Sequence, residues 1–154
     1  MVVAEGYSNG RLVSPDEARE LLQRGYTYVD VRSEPEFALG HPPGACNVPW
    51  QLAEGDRLVD NSDFAIVMQS SFTVIEPLII GCRSGGRSRA AVQRLRELGF
   101  TGLVELKHGF EGARDAFGRH LPGWRERGLE VELGEPEPDF SYAGLRAGRR
   151  APRG

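Results

Sequence analysis

Cys82 opens the run Cys82-Arg83-Ser84-Gly85-Gly86-Arg87-Ser88, which places a thiol, two guanidinium groups and two adjacent glycines within one short stretch. The residues before it, Leu78-Ile79-Ile80, are apolar and β-branched, as in a buried parallel strand. Those after it read as an amphipathic helix starting near Ser88. On that plan the glycines curl the chain tightly, and the unpaired N–H groups and positive end of the helix point back toward the turn. An anion is favoured there, and the nearest ionisable atom is the Cys82 sulfur. Helix start and arginines together favour the thiolate, which is the nucleophilic form. A lone Cys at the end of an apolar strand is otherwise a small buried core residue. Two arginines on a Gly-Gly turn point to chemistry instead.

Other polar residues have simpler expectations. Asp30 and Arg32 follow a strand and are read as an ion pair or hydrogen-bond network that orders the loop ends, with substrate contact as the alternative. His41, in a Gly-His-Pro-Pro-Gly turn, is expected to be held by a neighbouring carboxylate such as Glu36, with a general-base role as the alternative. Ser88 is expected to cap the helix through its hydroxyl, or to hydrogen-bond the sulfur. Cys46 reads as a buried apolar residue more readily than as a resolving thiol. Arg89, Arg94 and Arg96 read as a solvated helix face.

Composition narrows the functional classes. With 154 residues, 40% of them apolar, the chain suits one hydrophobic core. A net charge of −3 argues against a general nucleic-acid or membrane-surface binder. No apolar run reaches membrane-span length, and Met1-Val2-Val3-Ala4-Glu5-Gly6 lacks the features of a secretory signal, so a cytoplasmic protein is expected, with a removed organelle-targeting peptide as the alternative. Two cysteines and three histidines without ligand spacing lead to no expected metal.

The elements that must position these residues follow from local signals. Ser14-Pro15-Asp16-Glu17 carries an N-cap, a first-turn proline and a capping-box acid, the stripe Ala18, Leu21, Leu22 follows, and Gly25 ends the helix. Residues 26–31 form a strand delivering Asp30 and Arg32 to its C-terminal end, the side where α/β sheets bind ligands. Residues 33–39 are a loop or short helix, and 45–48 a short strand. Residues 52–60 read as polar and irregular, 63–73 as a helix. The amphipathic stretch carrying Ala90, Ala91, Leu95 and Leu98 ends at Gly99. Residues 101–106 make a further strand. Residues 109–116 and 123–125 are expected to be helical, packing Phe110, Phe117 and Trp124. This alternation implies an α/β fold, a central parallel sheet with helices on both faces. One domain over residues 1–133 is expected, followed at 134–154 by a polar Gly/Pro/Arg-rich tail, mobile or lying on the surface.

These pieces resemble the rhodanese family of sulfurtransferases from about Val13 to Val131. Asp30-Val31-Arg32 with Glu36-Phe37 is similar to that family's first signature, and Gly40-His41-Pro42-Pro43-Gly44-Ala45-Cys46-Asn47-Val48-Pro49 to its second. Cys82 to Ser88 is similar to its active-site loop. Gly109-Phe110 and Gly123-Trp124 resemble its closing segment, with His108 where the family more often has a first glycine. The resemblance implies a rhodanese-like fold without a cofactor, and a double displacement. Cys82 takes a sulfane sulfur from a small anionic donor, thiosulfate being favoured over mercaptopyruvate. It becomes a persulfide and passes the sulfur to cyanide, a thiol or a protein thiol. Arg83, Ser84, Gly85, Gly86, Arg87 and Ser88 would bind the substrate through their amides and guanidinium groups. Phosphatases and arsenate reductases with related loops place five residues between Cys and Arg, whereas four separate Cys82 from Arg87, a cradle sized for one sulfur atom. A regulatory binding module on the same fold is the remaining alternative.

Overall fold

The computed structural model describes residues 11–152, so the stretch Met1–Gly6 read above lies outside the described residues. Its strands are β1 (Arg11–Val13), β2 (Thr27–Asp30), β3 (Cys46–Asn47), β4 (Gln51–Glu54), β5 (Arg57–Asp60), β6 (Leu78–Gly81), β7 (Leu103–Leu106), β8 (Ala113–Arg114) and β9 (His120–Leu121). The helices are α1 (Pro15–Gln23), α2 (Glu34–Ala38), α3 (Phe64–Ser71), α4 (Gly86–Glu97) and α5 (Tyr142–Arg146), with a 3-10 turn at Arg125–Arg127.

Five strands form a parallel sheet in the order β1-β7-β6-β2-β3. Period-two alternation sends Tyr28, Ile79, Val104 and Leu106 to one face, where they pack with Ala18, Phe37, Phe110 and Trp124. Val29, Ile80 and Leu103 point to the other, against Val67, Met68, Ala91 and Leu95 from α3 and α4. Helices therefore cover both faces, as expected of an all-parallel sheet. The register Asp30↔Gly81 sets the end of β2 beside the end of β6, and Val31 N–H donates to the Gly81 carbonyl at 2.9 Å. The loop carrying Arg32 and the loop carrying Cys82 thus leave the C-terminal end of the sheet side by side.

α1 begins as its sequence requires, with the reciprocal Ser14–Glu17 capping box complete. A second capping box, Ser33–Glu36, starts α2. Three segments differ from expectation. Residues 52–60 are not irregular: β4 and β5 pair antiparallel as a hairpin closed at Gly55, whose φ is 64°. Residues 109–116 and 123–125 are not helical. They form turns, the short β8–β9 ribbon and the 3-10 turn. Phe110 and Trp124 are buried there, but Phe117 is 85% exposed. The segment after residue 133 is not merely a surface tail, because α5 inserts Tyr142 and Leu145 into the α3/α4 core layer and Arg150 is buried against Glu76 and the Ser71 carbonyl.

Candidate active site

β6 ends at Gly81, and the next residue is the nucleophile candidate. Cys82 is 1% exposed, at the floor of the loop, while Arg83, Ser84 and Gly86 around it are exposed. The thiol is therefore buried and not surface-facing, but it is surrounded by donors. The N–H of Gly85 points at Sγ from 3.1 Å and that of Ser88 from 3.2 Å. The hydroxyl oxygen of Ser88 lies 3.4 Å from the same sulfur. Helix α4 begins at Gly86, two residues earlier than expected, so its first turn faces the sulfur and its dipole favours an anion there.

One glycine makes the turn. Gly85 has φ 121°, a conformation that L side chains rarely adopt, and it occupies the N-cap position. Gly86 is the first residue of the helix, and its backbone makes no such demand. Ser88 lies inside the first turn and is not the N-cap. Its hydroxyl is 3.1 Å from the Gly85 carbonyl and 3.0 Å from Glu105 Oε2. From the far side, Phe110 N–H donates to the Cys82 carbonyl and Glu111 N–H to the Arg83 carbonyl, at 2.8 and 3.0 Å. This latch explains Gly109, where a Cβ would sit 2.3 Å from the Arg83 carbonyl oxygen. His108, at the position of the expected glycine, adopts the left-handed φ of 67° that a glycine would take.

The two loop arginines differ in their partners. Both terminal nitrogens of Arg87 donate to Glu36, at 2.7 and 2.9 Å. Burial alone would push the Glu36 carboxyl up, but Arg87 and the Ser33 amide outweigh it and hold it at about 2. Arg87 is thus a loop brace more than an open anion receptor. Arg83 is exposed and, among the described residues, has no side-chain partner, leaving its guanidinium available at the mouth of the loop.

Asp30 and Arg32 form the buried network favoured above. Arg32 Nε and Nη2 grip both Asp30 oxygens, Nη2 also donates to the Gly40 carbonyl, and the guanidinium lies 4.4 Å from the Phe110 ring centroid. Asn47 ties the strand end by donating to the carbonyls of Asp30 and Arg32. His41 is not held by Glu36. It stacks on Phe37 with centroids 3.8 Å apart, its Nδ1 donates to the Phe37 carbonyl, and the carboxylate near its Nε2 is Glu132, at 3.7 Å. Cys46 is fully buried in the α3/α4 core layer.

Two participants escaped the sequence reading. Glu36 is paired with His41 in the sequence reading, whereas its partner Arg87 lies 51 residues away along the chain, after the strand that neighbours β2 in the sheet. Glu105 had been read as part of a strand; an acid within an otherwise apolar four-residue run was the available signal.

The parallel sheet and the Cys82 loop at the C-terminal end of its central strand define the class of protein. The chain belongs to the rhodanese-like domain family, matched over residues 14–116. It is 43% identical over 115 residues to the senescence-associated protein DIN1 of Raphanus sativus, covering 75% of this chain and 57% of that protein. It is 40% identical over 98 residues to thiosulfate sulfurtransferase 16, chloroplastic, of Arabidopsis thaliana, covering 64% of this chain and 82% of that one. The crystal structure of Rv0390 from M. tuberculosis superposes with a TM-score of 0.65 at 32% identity, over 80% of this chain and 97% of that chain. The chain spans under two thirds of the length of some relatives, 57% of the radish protein and 66% of an Arabidopsis rhodanese-like domain-containing protein. Among the described residues no helix is long and apolar enough to cross a membrane.

Proposed function

We propose that this protein is a sulfurtransferase that moves a sulfane sulfur from thiosulfate, through a Cys82 persulfide, to a thiophilic acceptor. The observation that carries this reading is the convergence of the Gly85 and Ser88 amides on Sγ at the start of α4. Amides aimed at the sulfur itself stabilise charge on sulfur, as an oxyanion hole stabilises charge on oxygen. The thiolate attacks the outer sulfur of thiosulfate, a new S–S bond forms, the donor's S–S bond breaks, and sulfite leaves with that electron pair. The persulfide is again an anion, held by the same loop. Cyanide or a thiolate then attacks the terminal sulfur and returns Cys82 to its thiolate.

Arg83 meets the sulfonate of the donor at the loop mouth, where a guanidinium can make two parallel hydrogen bonds. Arg87, clasped by Glu36, keeps the loop in shape. That division of labour weighs against phosphoryl transfer, which needs the loop arginine on the transferred group. The names of relatives such as thiosulfate sulfurtransferase 16 support the choice of donor.

Intact mass after incubation with thiosulfate tests the proposal. Gain of one sulfur atom, lost on adding cyanide and absent from Cys82→Ser, is the expected result. A folded chain that gains no sulfur, or a Cys82→Ser chain that still does, contradicts it.

A further inference from the structure

Glu105 lies in β7 on the same face as Leu103, looking into the apolar layer beneath α4, and is 5% exposed. A carboxyl in such a layer is costly without a partner. Its partner is Ser88, whose Oγ is 3.0 Å from Oε2 and also 3.4 Å from the Cys82 sulfur. One hydroxyl therefore touches the nucleophile, the Gly85 carbonyl at 3.1 Å, and a buried acid that the sulfur transfer described above does not use.

A serine hydroxyl has a single hydrogen to donate. With Glu105 ionised, the charge-assisted bond claims that hydrogen, and Ser88 turns its lone pairs toward sulfur, an arrangement that suits S–H and disfavours S⁻. With Glu105 neutral, the carboxyl donates to Ser88 and the serine hydrogen is released to the sulfur anion, whose charge makes it a stronger acceptor than the neutral Gly85 carbonyl. Two negative charges joined through one hydroxyl in a buried layer also repel each other. The pair thus holds one negative charge comfortably, on either oxygen or sulfur.

We propose that Glu105 is a positioning residue for Cys82, acting through Ser88 as the store for the proton that the thiol gives up. The S–H bond breaks and its hydrogen passes to Ser88 Oγ as the serine's own hydrogen passes to Glu105 Oε2. One negative charge moves from carboxylate to sulfur, and no oxidant or reductant is involved. Thiolate and persulfide are both anions, so Glu105 stays neutral throughout the transfer. Burial raises the Glu105 carboxyl despite the lowering pull of Ser88 and Arg89, the direction that a proton store requires. The strand neighbours of Glu105, Leu12 and Ile80, bring no charge; the charged and titratable groups acting on the pair are Arg89 and Arg87 from α4 and Tyr28 from β2.

The proposal rests on Cys82 as the nucleophile, and it is tested by a reaction that needs no sulfur donor. The rate of alkylation of Cys82 by iodoacetamide, read from the mass of its peptide in the full chain, is followed against pH. Two coupled groups give the wild-type chain a two-step profile. Glu105→Gln, which cannot ionise, is expected to give a single step and roughly tenfold faster alkylation at neutral pH, the factor that a coupling of about one pH unit produces. Glu105→Asp keeps the two steps. Identical profiles for wild type and Glu105→Gln overturn the proposal. Should Glu105→Gln fail to fold, the carboxyl carbon of Glu105 is followed by NMR instead. It is expected to titrate in one step, at lower pH, in Cys82→Ser, and an unchanged titration overturns the proposal equally. Normal sulfur uptake with uncoupled titration sinks this proposal alone. Coupled titration without sulfur uptake sinks only the sulfurtransferase reading.

Discussion

Arg87 of the Cys82 loop and Glu36 of α2 face each other with two parallel hydrogen bonds of 2.7 and 2.9 Å, and Glu36 Oε1, which takes the shorter of them, also accepts from the Ser33 amide. One carboxylate therefore caps α2 and braces the loop that carries Cys82. Its ionisation has a definite pH signature. A carboxyl held at about 2 in the folded chain, against an ordinary 4.5, contributes stability that is complete above the unfolded value and is lost as pH falls from about 4.5 toward 2. The difference in unfolding free energy between wild type and Glu36→Gln, from urea titrations, is expected to be on the order of 2 kcal/mol at neutral pH and to shrink across that window. A difference that does not vary with pH would remove the brace.

Arg83 and Arg87 separate kinetically if they do different work. Arg83→Ala is expected to raise the KM for thiosulfate several-fold, about 1 kcal/mol of binding, and to leave kcat close to wild type. Arg87→Ala is expected to lower thermal stability as well as turnover, because it strands Glu36 in a half-buried position. Steady-state kinetics beside a melting curve distinguish the two patterns.

The adjacent glycines are not equivalent. Gly85→Ala forces a side chain into a φ of 121° and should cost about 1 to 2 kcal/mol or more while displacing the amide that faces sulfur. Gly86→Ala falls on an ordinary helical residue with open space around its Cα and should be neutral or slightly stabilising. Thermal midpoints and sulfur uptake of the two variants provide the comparison.

His108 carries a side chain through a left-handed turn. His108→Gly is expected to stabilise the fold by about 1 kcal/mol, measured by chemical denaturation, with sulfur uptake unchanged.

Much of this fold could be read from local chemistry. Ser14, Pro15 and Glu17 announce α1, and the β-branched run before Cys82 announces β6, because caps and apolar runs act within a few residues. The Cys82 loop was legible for the same reason: thiol, glycine turn and helix start are consecutive. The Arg87–Glu36 pair was not, since nothing local tells which of several acids a guanidinium reaches after the sheet assembles. Glu105 was hidden by its setting, as a strand of four buried residues reads as core whatever its third member. The helix holding Tyr142 and Leu145 was missed because two anchors in a polar, glycine-rich stretch resemble a solvated segment, although burial of two such side chains is enough to dock it.

Docking of that last segment also protects the molecule from itself. β3 ends the sheet with only two paired residues, and the outward N–H of Asn47 is taken by the Phe140 carbonyl at 2.9 Å. A sheet margin left open invites strands from neighbouring molecules. Shortened after Leu133, the chain should clump on warming before the Cys82 loop loses its shape, because the segment carrying Phe140 is the guard rail against self-association.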